Sequence, residues 1–397
     1  MIELRQDNPY LISINIVMLV AIWYTMRPAI YYADSTVSSR RLYFALFMWF
    51  LFDVFAFWGS DWFHLYVAYK DIQVENLIVE DVYTWIAHNL APNNYILFRI
   101  IVWGAAQFFL WDTFRRISIS SHLLLAVFLS VWLIWFSYAR VSLAMAMAFW
   151  GLTIYHKSHG ISIIPKIIGL CAIAASFYFH KSAIFIIFVS LLTILTSKVN
   201  KITFIICLIA FPLFAYILSD GVVDSVLLTM TDKTEDLDNY ITKAQYYMES
   251  DEIDKGIGPL IGLLLERIPY YLIIVLGGIA LFSTNNNTSP INNEESLDAP
   301  VDNDEIVFTI PEDIKVFIRA LLYIVLFSSL FLFNSSVNTQ IIYNRFIRFS
   351  FVPATIILAY LLENNKYMRY GWWTYCIALF GTCYQMIYML YCSIANS

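Results

Sequence analysis

The sequence predicts an all-α, polytopic integral membrane protein, and three observations carry the prediction. Hydrophobic residues fill 60% of the 397 positions and charged residues only 14%, whereas a soluble domain is roughly half apolar and about a quarter charged. Mean hydropathy is +0.66. The apolar residues also gather into runs close to the roughly 20 residues that a helix needs to cross about 30 Å of hydrocarbon.

Twelve stretches meet or approach that length: 10–29, 42–58, 95–112, 121–138, 140–156, 162–178, 181–197, 201–219, 258–282, 314–333, 343–361 and 372–392. The pairs that meet near Arg140 and near His180 leave almost no loop, so each reads as a tight hairpin. Met1 to Pro9 lacks a basic start and a small-residue cleavage site, which makes the first run a retained helix. No internal repeat is visible, so 1–397 reads as one polytopic membrane domain. The five cysteines (Cys171, Cys207, Cys376, Cys383, Cys392) all lie in apolar stretches without a Cys-x-x-Cys pair. They read as small core hydrophobes.

Basic loops stay cytoplasmic. Arg40/Arg41, Arg115/Arg116, Lys157/Lys166, Lys198/Lys201 and Lys366/Arg369 fall in alternate loops. That pattern puts both termini outside and makes the acidic loops 59–94 and 220–257 external. The stretch 284–313, rich in Asn and acids and free of Lys and Arg, reads as a disordered cytoplasmic linker. A net charge of −6 without a basic run gives no reason to expect nucleic acid.

With that orientation, Arg99, Arg140, Lys181, Arg267, Arg345 and Arg348 all map to the external half of the membrane. A charge in hydrocarbon costs about 2.5–3.5 kcal/mol on insertion scales, so such residues face a cavity, a partner or a ligand. Few acids share their depth, and an anionic ligand would balance them. Arg345 and Arg348 are three apart and share a helix face. Arginine's planar fork suits phosphate oxygens, and a pyrophosphate at the outer surface is the natural candidate. The plainer alternative is that a single arginine near a helix end snorkels to the interface. It stands most strongly for Arg99 and Arg267, the latter beside Glu266.

Two groups could accept a proton. Asp61, in Gly59–Ser60–Asp61, follows the second apolar run, with Tyr66 and Tyr69 beyond it. A carboxylate among aromatics can hold a sugar or deprotonate its hydroxyl; it can equally cap a short helix. His180 is the second candidate. No His-Glu-x-x-His or Cys/His spacing suggests a metal. Asp236–Leu237–Asp238 sits in a run of acids and reads as a solvated face. No Gly-rich phosphate loop or other cofactor signature is present.

These residues resemble a known family. Gly59–Ser60–Asp61 followed by Tyr66 and Tyr69 is similar to the Gly-Thr-Asp-Tyr-x-x-Tyr segment of EpsG-type exopolysaccharide polymerases. Arg140–Val141–Ser142–Leu143–Ala144 is similar to that family's Arg-Gln-x-Leu-Ala, and Phe179–His180–Lys181–Ser182–Ala183 to its Phe-His-x-Ser-Ala. Order and spacing agree over Gly59 to about Leu192. Ser60, Trp62 and Val141 depart from the pattern, which puts any role for position 62 in doubt.

The resemblance implies a GT-C-like membrane glycosyltransferase of the bacterial cytoplasmic membrane with a Wzy-like role. It would join undecaprenyl-pyrophosphate-linked oligosaccharide repeat units into capsule, O-antigen or exopolysaccharide at the external face. On this expectation, Arg140, Lys181, Arg345, Arg348 and Arg267 hold the pyrophosphate, Asp61 or His180 takes the proton, and Tyr66 and Tyr69 contact sugar. Transfer is expected to be metal-independent, with a chain-length regulator as a candidate partner. A lipid-linked sugar transporter or a glycan ligase would use the same charges, so both stay open.

Overall fold

The computed structural model describes residues 9–32, 38–55, 66, 69, 81–138, 141–158, 163–196, 199–206, 208–209, 257–283, 310–329 and 346–395. Among these residues every regular element is helical. In chain order the helices are α1 (Pro9–Tyr32), α2 (Ser39–Phe55), α3 (Asp81–Asn89), α4 (Tyr95–Arg116), α5 (Ser121–Val131), α6 (Leu133–Tyr138), α7 (Ser142–Lys157), α8 (Ile163–Phe179), α9 (Ala183–Leu195), α10 (Ile257–Ser283), α11 (Glu312–Ser329), α12 (Phe351–Glu363) and α13 (Met368–Ala395). A 3-10 turn, Arg348–Ser350, leads into α12.

The helices have two kinds of apolar surface. One faces the core: Ile22, Trp49, Phe128, Phe149, Phe317 and Ile357 are all 1% exposed or less. The other is bare. On α8, Ile163 and Ile164 are 71% and 63% exposed, Leu195 on α9 78%, and Trp373 on α13 64%. Bare apolar side chains in this number, on helices this apolar, mark a membrane face, and the chain is a membrane protein. Ser13–Tyr31 and Tyr95–Arg116 are long and apolar enough to cross a bilayer. Ser121–Val131, Ile163–Phe179, Ala183–Leu195 and Arg267–Phe282 are shorter apolar helices.

The same surface corrects the reading of the cysteines. Cys171, Cys376 and Cys383 are free and exposed, not in the core. In a lipid-facing helix an apolar sequence context does not separate the inner from the outer face. Cys207 and the side chain of Cys392 lie outside the described residues.

The closest packing joins α7 and α8. Gly151 and Gly169 face each other so tightly that a Cβ on Gly151 would lie 2.5 Å from the Gly169 carbonyl oxygen. A Cβ on Gly169 would lie 2.6 Å from the Gly151 oxygen. Small residues let membrane helices approach in this way.

The stretch 121–138, expected as one helix, is broken at Trp132 into α5 and α6. Thr382 of α13 donates to the Val131 carbonyl at the break, at 2.9 Å. The Trp132 ring stacks on Tyr270 (5.1 Å, 16°) and on Phe351 (5.4 Å, 9°), which locks α10 and α12 against the break.

Alternation of the helices gives the bundle two ends. At the lower end, where α4 finishes and α11 begins, Asp313 accepts from the Ser118 backbone N–H (2.8 Å) and hydroxyl (2.7 Å). It also pairs with Lys157 at 3.0 Å. One carboxylate thus ties the α4–α5 turn, the end of α7 and the start of α11. At the upper end α2 and α6 finish and α4 begins.

Candidate functional site

The upper end is built from a turn upward. Asn93 takes a positive φ of 56°, and the side chain of Asn94 caps α4 by accepting from the Leu97 N–H at 2.9 Å. Tyr69 donates its hydroxyl to the Ala91 carbonyl in the same turn, while its ring packs on Tyr95 and Phe98. The capped helix then presents Tyr95 and Arg99 on one face, four residues apart.

Arg99 is fully buried. Its Nε donates to the Asp53 backbone carbonyl at 3.1 Å, one terminal nitrogen donates to the same oxygen, and the other donates to the Tyr95 hydroxyl at 3.5 Å. Its guanidinium carbon lies 4.4 Å from the centroid of the Trp103 ring. The Asp53 carboxylate, also fully buried, accepts from the Gln107 amide at 2.7 Å and from the Ser137 hydroxyl. One buried polar cluster therefore joins the upper parts of α2, α4 and α6.

This cluster corrects the reading of Arg99 as a snorkelling residue, and it removes Arg99 from the cations that await an outside anion. A charge without water is stable only with partners, and Arg99 finds them inside the protein. The sequence reading passed over Asp53, Gln107 and Ser137. The signal was available: Asp53 is an acid set inside the apolar run 42–58, level with Arg99 in 95–112. Arg319 on α11, also buried, went unremarked for the same reason.

The positions expected to act on substrate divide into two groups. Asp61, Arg140 and Arg345 lie outside the described residues, as do 220–256 and 284–309 and most of 59–80. The described ones sit at the ends or on the flanks of the upper bundle. The Ser142 hydroxyl, at the start of α7, donates to the Phe136 carbonyl of α6. Tyr66 is half-buried and meets Tyr95 edge-on at 5.0 Å. Tyr69 is only 9% exposed and its hydroxyl is engaged, so it acts as scaffold.

His180 and Lys181 form the turn between α8 and α9. Lys181 is exposed and His180 is half-buried. The His180 Nδ1 accepts from the Ser182 backbone N–H at 3.1 Å. An accepting Nδ1 places the proton of a neutral imidazole on Nε2, which makes that nitrogen a donor.

Aromatic contacts connect these termini. Tyr83 bridges Phe98 (6.1 Å) and Phe179 (6.4 Å), which links α4 to the His180 turn. Phe185, one turn after Lys181, stacks on Phe346 at 4.2 Å and meets Phe349 at 5.9 Å. Phe346 and Phe349 flank Arg348, which is half-buried. Arg267, on α10, is half-buried three residues before Tyr270 in the Trp132 stack. The helix ends that carry Lys181 and Arg348 are thus packed together, with α10 joined to them through Phe351 and Trp132.

The sequence model of the EpsG family matches residues 41–396. No curated protein and no solved structure matches the chain.

Proposed function

The chain belongs to the EpsG family, a family of Wzy-like polymerases, and on that premise we propose that it polymerises lipid-linked sugar repeat units in the bacterial cytoplasmic membrane. Membership carries the coarse part: a membrane protein of polysaccharide biosynthesis with glycosyltransferase-like activity. The finer reading is a multi-pass GT-C-like enzyme of about twelve spans, with its upper end external. Undecaprenyl-pyrophosphate-linked oligosaccharide is the substrate.

The observation that supports this reading most is the packing of the Lys181 and Arg348 helix ends around Phe185, Phe346 and Phe349. It gathers basic termini near one end of the bundle, where the positive-inside pattern puts the outer leaflet. In the proposed step, the hydroxyl of an incoming repeat unit attacks C1 of the growing chain. The C1–O bond to pyrophosphate breaks, and undecaprenyl pyrophosphate leaves with the electron pair. Arg140, Arg345 and Arg348, with Lys181 and Arg267 beside them, hold the pyrophosphate and stabilise the charge that develops on it.

Asp61 accepts the proton of the attacking hydroxyl. The geometry at His180 favours a different part for that ring: with Nδ1 accepting from Ser182, Nε2–H donates to a phosphate oxygen. Sugar contact falls to Tyr66, with Tyr69 supporting the platform beneath it. The reaction runs without a metal ion; loss of activity in EDTA restored by Mg²⁺ would refute that part.

The test uses the native host, its deletion strain and strains restored with wild type, Arg140→Ala or Arg345→Ala. Surface glycan is resolved on a gel, and the sidedness of lipid-linked intermediates is assayed. Polymerase activity predicts single repeat units on the outer leaflet after deletion, and no ladder with either variant at matched expression. Near-full ladders from both variants would refute the assigned residues. Repeat units trapped on the inner leaflet would make the protein a flippase.

A further inference from the structure

At the lower end of α1 and α2, three arginines from two helices converge on one cavity. Arg27 comes from the last turns of α1, and Arg40 and Arg41 from the first turn of α2. The cavity has a volume of about 320 Å³ and is also lined by Tyr24, Thr25, Pro28 and Phe44. Arg27 is held in place by its own helix, its guanidinium carbon 4.3 Å from the centroid of the Tyr24 ring. The Thr25 hydroxyl is occupied by the Ala21 carbonyl at 2.8 Å. Among the described residues, none of the three guanidinium groups has a hydrogen bond or an ion pair to an acid.

Three cations with no acidic partner among the described residues repel each other around one cavity, and an anion between them relieves that repulsion. Its size and shape point to a headgroup, since ligand pockets begin near about 300 Å³. Its surroundings point to a lipid. Val17, Val20 and Tyr24 share one face of α1 by their spacing and are 67%, 57% and 61% exposed. Phe44 and Phe47 do the same on α2, at 48% and 57%. These bare apolar stripes lead away from the arginines along the helices, as acyl chains would run. A soluble phosphate compound would have no use for them.

We propose that the α1–α2 cavity binds the phosphodiester headgroup of an anionic phospholipid, held by Arg27, Arg40 and Arg41. Orientation pressure alone explains basic residues in the connecting loop. It does not explain why Arg27, on the other helix, faces the same cavity. Basic pockets between helices at a membrane surface are suited to such headgroups. This site is separate from the proposed polymerase site, so either can fail alone.

The test uses the full chain in nanodiscs of phosphatidylcholine, with and without phosphatidylglycerol or cardiolipin. Bound lipid is counted by native mass spectrometry. Arg27→Gln keeps Arg40 and Arg41 for orientation, and Arg115→Gln removes a basic residue at the same end but outside the cavity. Wild type should retain an anionic lipid in preference to phosphatidylcholine. Arg27→Gln should bind it about fivefold more weakly, Arg27→Gln/Arg41→Gln more weakly still, and Arg115→Gln should match wild type. Equal retention by wild type and Arg27→Gln would overturn the proposal, as would equal losses in Arg27→Gln and Arg115→Gln. Displacement of the lipid by millimolar inorganic phosphate would also overturn it, in favour of a soluble ligand.

Discussion

Replacing Gly151 with alanine should destabilise this protein, although the same change in an open helix does the opposite. Ala is favoured over Gly inside a helix by roughly 0.5–1 kcal/mol. The new Cβ would lie 2.5 Å from the Gly169 carbonyl oxygen, 3.0 Å from Ile173 Cγ1 and 3.1 Å from Ala172 Cβ. A carbon and a carbonyl oxygen settle no closer than about 3.3 Å, so α7 and α8 must separate by roughly 0.8 Å. A gap of that size forfeits about a quarter to a half of each contact it opens. Overpacking of this kind costs about 1–3 kcal/mol, which outweighs the gain in propensity. Gly104→Ala is the control, because its nearest neighbour, Phe50 Cε2, is 3.7 Å away. Thermal unfolding of both variants in the same detergent should show Gly151→Ala lower than wild type by a few degrees, and Gly104→Ala equal or slightly higher. A Gly151→Ala protein that melts at or above the Gly104→Ala protein would refute the reasoning.

Three further outcomes are expected. Asp53→Ala leaves the Ser137 hydroxyl buried without its acceptor, at roughly 1–3 kcal/mol, and the half-buried Gln107 amide without its own; Asp53→Asn keeps an acceptor oxygen and should lose less, as compared by inserted yield and detergent melting. Thr382→Val removes the donor to the Val131 carbonyl and should cost about 0.5–1.5 kcal/mol, read by the same melt. At Asp313, just before the 314–333 stretch, burial pushes the carboxyl up, but hydrogen bonds from Ser118 and Lys157 outweigh it and hold the carboxyl below its ordinary range. A lowered folded value means stability present above the unfolded pKa of about 3.9 and lost as pH falls through the folded value. Asp313→Asn should therefore melt below wild type at pH 7, and the difference should shrink in acid.

Composition and the length of the apolar runs were enough to read the membrane class, because both follow directly from the solvent a helix must face. The motifs around Gly59, Arg140 and His180 were enough to read the family. The break at Trp132 was not legible: 121–138 contains neither proline nor glycine, and the carbonyl freed there is taken by Thr382, 251 positions away in sequence. Nor was the partner of Arg99. A hydropathy scan marks Asp53 as a blemish in 42–58, and only the packing of α2 on α4 shows that its backbone carbonyl takes the Arg99 guanidinium while its carboxylate takes the Gln107 amide. His180 was legible as a functional candidate but not in its chemistry, since the Ser182 N–H that sets its tautomer is a matter of turn geometry. The cysteines failed for the converse reason: lipid and core look alike to an apolar pattern.

The Asp53 cluster also imposes a timetable on biogenesis. Gln107 follows Asp53 by 54 residues and Ser137 follows it by 84. At a synthesis rate of about 5–20 residues per second, the Asp53 carboxylate waits roughly 3–11 s for its amide donor and about 4–17 s for its serine. During that interval α2 carries an unsatisfied acid that lipid does not tolerate. The nascent helix must then linger at the insertion machinery, or near headgroup water, until α4 arrives, and the two would enter the bilayer as a pair. The ribosome's pace across residues 54–107 thus becomes part of how this protein is made.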